Sequence, residues 1–97
     1  MTDVIGPGSL KLVTASSPHR SLRDTLLDGL RAHAGNDDVR HLHGETVLVH
    51  TEAEPTAIRD WLAPLLLEGE SIVVVEFERW SSHGPAPDRR WLLRRGH

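Results

Sequence analysis

The sequence predicts an α+β domain, a ferredoxin-like βαββαβ sandwich with an antiparallel sheet and two helices on one face. Three observations predict it. Residues 45–77, ETVLVHTEAEPTAIRDWLAPLLLEGESIVVVEF, read strand, helix, strand with almost no slack. A strand, a helix and a further strand precede them, so the order is that of the split βαβ motif. Residues 71–77 (SIVVVEF) are apolar on both sides of the strand, with Ile72 and Val74 on one and Val73, Val75 and Phe77 on the other. Right-handed crossovers then put both helices on the same face, which leaves the second apolar face for a partner subunit or for the C-terminal tail.

Each element has a local reason. Residues 1–9 carry Gly6-Pro7-Gly8 and read as a loose lead-in. Residues 10–14 (LKLVT) are a short strand, and Ser16-Ser17-Pro18 is a helix start. Leu22, Leu26, Leu30 and His33 recur at helical spacing, which predicts an amphipathic helix of about four turns ended by Gly35-Asn36. Residues 39–43 and 46–51 are two strands, joined through Gly44-Glu45 as a tight hairpin or running on as one bent strand. Glu54-Pro55 opens a second helix with Ile58, Trp61, Leu62, Leu65 and Leu66 as its apolar stripe, and Trp61 reads as core. Pro64 inside that stripe removes a hydrogen bond and predicts a kink or an irregular last turn. Residues 79–97 form a C-terminal extension with a loop at 83–88 and an apolar centre in RWLLR, a candidate for one further strand.

Composition narrows the function classes. The chain has 97 residues, enough for one domain with a modest core that a second subunit would help to complete. A net charge of -3 gives no whole-molecule attraction to nucleic acid or anionic lipid, so such binding needs a local patch. There is no cysteine, which excludes disulfides, thiolate metal sites and a cysteine nucleophile and suits a cytoplasmic protein. No apolar run approaches the roughly 20 residues of a membrane span, and residues 1–9 lack the pattern of a signal peptide. Nucleophile elbows, phosphate-cradling glycine loops and HExxH are missing, so no cofactor is expected.

Residues 41–77 resemble a family of small bacterial proteins described as SinR-like, related to the small dimeric CRISPR-adaptation protein and to VapD-type toxins. The resemblance rests on His41-Leu42 ahead of Val47-Leu48-Val49, on Ile58-Arg59-Asp60 with Leu62, Pro64 and Leu65, on Val73-Val74-Val75, and on Trp80 and Gly84. It implies a ferredoxin-like homodimer with packed sheets and a C-terminal strand added to the partner's sheet, in a defence, toxin–antitoxin or phage context. Some relatives are metal-dependent nucleases whose key residue is an Asp ending the first strand. Here that strand ends Val13-Thr14-Ala15-Ser16, and Asp3 lies before the glycine-rich break. The sequence therefore favours a non-catalytic dimeric binding or scaffold protein over an endoribonuclease.

Three groups of residues carry the candidate surfaces. His41, His43 and His50 share a face if Gly44-Glu45 is the turn, with Val39 opposite His50, and neutral imidazoles so placed suit Zn²⁺ or Ni²⁺. The commoner role of such a group is a solvated polar face, with Leu42, Val47 and Val49 turned to the core. Arg89, Arg90, Arg94 and Arg95 around Trp91 supply phosphate contacts and a stacking ring for a nucleic acid, or else an amphipathic tail that packs Trp91, Leu92 and Leu93. Val73, Val75, Phe77 and Trp80 are the expected dimer interface.

Overall fold

The computed structural model describes residues 9–85 and 88–97. It is a small α+β fold with a four-stranded antiparallel sheet and three helices. The strands are β1 (Ser9–Ser16), β2 (Val39–His43), β3 (Thr46–Thr51) and β4 (Ser71–Phe77), in the order β2-β3-β1-β4. The helices are α1 (Arg23–Ala34), α2 (Pro55–Leu62) and α3 (Arg89–Arg94). The lead-in expected at residues 1–9 lies outside the described residues except for Ser9, which already belongs to β1.

β1 is the central strand. It pairs with β3 through Leu10↔His50, Leu12↔Leu48 and Thr14↔Thr46, and with β4 through Leu10↔Phe77, Leu12↔Val75 and Val13↔Val74. Strand alternation then sorts the side chains into two sets. Val13, Val47, Val49 and Val39 pack with Leu26, Leu27 and Leu30 of α1 and Ile58 and Leu62 of α2, with Ile72 and Val74 beside them. Leu10 and Leu48 join Leu12, Leu42 and Phe77 on the other side, where Trp91 and Leu92 of α3 lie on them. Both long helices therefore cover one face, and α3 covers part of the second.

Two expectations about the helices are refined. α1 begins at Arg23 rather than at Pro18. The Ser17 hydroxyl accepts from the Arg20 and His19 amides and donates to Glu70, which holds residues 17–20 in a turn instead. α2 starts as expected at Pro55, with Glu54 before it, and at Pro64 the chain tightens into a 3₁₀ turn, Ala63–Leu65. Trp61 is half-buried rather than core: it stacks on His33 of α1 with ring centroids 4.5 Å apart and planes within 3°. The helices meet closely at Gly29, where a Cβ would fall 2.8 Å from both Leu62 Cδ2 and Leu65 Cδ1.

The C-terminal extension adds no strand among the described residues. It forms α3, whose first turn is capped by the Asp88 carboxylate accepting from the Trp91 amide at 3.1 Å. A helix buries the adjacent pair Trp91-Leu92 on one side, which a strand would send to opposite sides.

One polar cluster ties distant loops together. Arg20 forms a two-pronged pair with Glu70, Nε to Oε2 at 2.7 Å and Nη2 to Oε1 at 2.8 Å. The same carboxylate accepts from Ser17 and from the Leu67 amide, and Arg20 also donates to the Leu65 carbonyl. The loop before α1 is thus locked to the loop before β4. The Arg20 guanidinium holds the Glu70 carboxyl far below its usual 4.5, at about 2. A depressed carboxyl stabilises the fold above its unfolded value and loses that contribution as pH falls toward its folded value. Glu70→Gln is therefore expected to lower the urea midpoint at neutral pH and to flatten its decline between about pH 4.5 and about pH 2. Unfolding curves read by circular dichroism across that range check it; an unchanged acid profile would contradict the assignment.

Candidate functional site

The face of the sheet away from α1 and α2 is only partly covered. An open apolar groove of about 710 Å³ runs over it, floored by Leu10, Leu12, Leu42, Leu48, Val75 and Phe77 and flanked by Trp80, Ser81, Ser82, His83, Pro85 and Leu92. Among the described residues its lining contains no Asp, Glu, Lys or Arg, and its titratable side chains are His43 and His83. Alongside it, Val73 and Val75 of β4 are 56% and 43% exposed, and Trp80 37%. The expected interface residues Val73, Val75, Phe77 and Trp80 thus fall together: Val75, Phe77 and Trp80 line the groove and Val73 continues it along β4. Exposed apolar surface gathered in one patch is the usual mark of a docking surface.

The histidines do not converge. The hairpin closes as expected, with Gly44-Glu45 as the link, a φ of 51° at Gly44, and His43 opposite Thr46. Between His41 and His43 the register shifts by one residue. His41 then lies opposite Val47, a helix-side core residue, and Val39 opposite Val49 instead of His50. Leu42 correspondingly belongs to the groove side and not to the helix-side core. A one-residue bulge of this kind reassigns every position beyond it. His43 and His50 remain on the groove side, but four β3 positions separate their rows, about 13 Å at the usual rise. His41 is engaged with the hairpin itself, its Nε2 donating to the Gly44 carbonyl at 2.8 Å. No cluster of three or more His, Cys, Asp or Glu side chains suited to a metal is present among the described residues.

The arginine-rich tail divides in two. Trp91 is fully buried, its indole N–H donating to the Asp37 carbonyl, so its ring is not presented to a base. Arg95 lies over that ring at 4.6 Å and is paired with Asp38 at 3.0 Å, with further donation to the Trp91 and Asp37 carbonyls. Arg40 reaches the other end of α3, 3.7 Å from Asp88. Arg89, Arg90 and Arg94 remain exposed, the first two beside a shallower hollow with His41, Gly84 and Asp88. The first strand ends in the neutral Thr14-Ala15-Ser16, and the carboxylate joined to the turn that follows it, Glu70, has both oxygens bound by Arg20, Ser17 and Leu67.

Sequence reasoning missed the part played by Asp37 and Asp38, which read as a turn. Asp38 is an acid beside a tail rich in arginine, which is a weak signal. Asp37 acts through its backbone carbonyl and carries no signal at all. No helix among the described residues is long and apolar enough to cross a membrane. Scans of protein-family models, of curated proteins and of solved structures find no match to this chain.

The two halves of the tail have different energetic weights. Trp91→Ala empties a buried site, which ordinarily costs about 3–5 kcal/mol. Trp91→Phe keeps most of the volume and removes one of the two donors to the Asp37 carbonyl, which Arg95 still serves, a loss of about 0.5–1.5 kcal/mol. Arg94→Ala, at an exposed position, stays within about 0.5 kcal/mol. Urea denaturation of the three variants checks the order.

Proposed function

We propose that this chain is a non-catalytic, homodimeric binding protein of ferredoxin-like architecture, and that its groove-bearing sheet face is the surface that receives a second copy. The architecture is supported by the strand order, which read from the other edge is β4-β1-β3-β2, and by the shared core of α1 and α2. The resemblance of residues 41–77 to SinR-like proteins agrees with that architecture; the helical tail departs from the added strand of that family.

The observation that carries the dimer reading is the uncharged apolar strip of Val73, Val75, Phe77 and Trp80 beside the groove. A two-fold interface sets the same patch of each copy against the other, so a charge in it needs an opposite charge elsewhere in the same patch. A strip without charge satisfies that condition, and burying its valines and tryptophan removes apolar area that this small domain leaves in water. The same neutrality gives a polyanion nothing to hold in the groove. A nuclease reading would need oxygen ligands converging on a divalent ion, whereas Glu70 is committed to Arg20.

Sedimentation velocity at micromolar concentration is expected to give a dimer, and Val75→Glu a folded monomer, because the interface would bury a carboxylate with no partner. A monomer for the unsubstituted chain would remove the reading. Turnover of RNA or DNA with Mg²⁺ or Mn²⁺, abolished by chelator, would replace it with the nuclease alternative.

A further inference from the structure

The second sheet face is shared between the open groove and α3, and α3 is held down at its far end by a pair of histidines. His50 of β3 is 7% exposed. His97, three residues beyond α3, sets its ring edge-on to it, with centroids 5.5 Å apart and planes at 69°. The His97 amide donates to the Leu92 carbonyl at 3.0 Å, which folds the end of the chain back over α3. His97 Nε2 is buried with no hydrogen-bond partner. This pair is the part of the α3 contact built from side chains that titrate near neutrality.

The charged groups around the pair come from every neighbouring element and are already compensated. Arg95 of the tail is matched by Asp38 from the turn before β2. Lys11, the neighbouring residue of β1, is buried on the helix side of the sheet and is matched there by Glu76 of β4 at 3.4 Å and by the Ser9 hydroxyl and the Thr51 carbonyl. With neutral imidazoles the corner is therefore balanced. With protonated imidazoles it gains two positive charges beside Arg95, and the neighbouring acid, Asp38, is already engaged by that arginine.

We propose that α3 is a proton-released cover: protonating the His50–His97 pair loosens α3 from the sheet and enlarges the apolar face open to a second copy. The inference rests on the dimer reading for what occupies the freed face, and on the geometry of the pair for the release itself. Burial pushes both imidazoles below their ordinary value, and for His50 the neighbouring His97, Arg95 and Lys11 act in the same direction while Asp38 opposes them. A lowered imidazole stabilises the closed form above its unfolded value and loses that contribution as pH falls through the folded one. The cover is thus closed above neutrality and loosens on acidification. Leaving the sheet uncovers Leu10 and Leu48, which α3 otherwise buries with Leu92.

The test is amide hydrogen exchange of residues 91–95 in the full chain at about pH 7.5 and about pH 5, corrected for intrinsic rates. Protection is expected to fall about tenfold or more in the unsubstituted chain, and by less than about twofold in the variant carrying His50→Gln and His97→Gln. Unchanged protection in the unsubstituted chain, or an equal fall in the variant, overturns the proposal. Should the double variant not fold, His97→Asn alone is expected to fall less than the unsubstituted chain, and an equal fall overturns the proposal. Sedimentation at the two pH values separates the readings. Release of α3 with no dimer at either pH upholds the cover and removes the dimer; a dimer whose α3 ignores pH overturns the cover alone.

Discussion

β1 lies between β3 and β4 and is apolar on both faces, and this two-sided central strand is the constraint on which the remainder of the structure depends. Val13 and Ala15 look toward α1 and α2, while Leu10 and Leu12 look the other way. A sheet built on such a strand needs two covers. The long helices supply the first with a continuous set of aliphatic side chains. The second is supplied by a six-residue helix that reaches only Leu10, Leu48 and their neighbours. The shortfall is the groove, and the exposure of Val73, Val75 and Trp80 is its consequence.

The polar contacts are placed where they oppose this imbalance. The Arg20–Glu70 pair closes the end of the domain where β1 leaves the sheet and β4 enters it. At the opposite end, Arg95–Asp38 and Trp91–Asp37 fasten the short cover to the turn before β2. The first cluster joins loops flanking the finished core through the Arg20 and Glu70 side chains. The second lies on the incomplete face and sits beside two histidines. The same kind of ion pair therefore works as a permanent staple in one place and as part of a releasable contact in the other.

The elements of the sheet and of both long helices were legible because their signals are local. Alternation placed Ile72 and Val74 opposite Val73, Val75 and Phe77, and the structure divides them in that way. Pro64 announced an irregular turn, and one is present. The histidine arrangement was legible only as far as the hairpin tip. His43 does oppose Thr46, but the bulge between His41 and His43 carries no residue signature and shifts every later pairing.

The sequence by itself determined the two apolar sides of β4, the core side of Val47 and Val49, the stretches that form α1 and α2, and that one sheet face would be short of cover. Those properties follow from backbone periods of 2 and about 3.6 residues, which neighbouring side chains reveal. Only the tertiary structure decided what lies on the second face. That outcome turns on Trp91 finding a carbonyl 54 residues away, on Arg95 finding Asp38, and on His97 returning to His50. Such contacts between chain-distant groups are selected by shape and charge in the assembled sheet, so no local pattern in the tail could announce them.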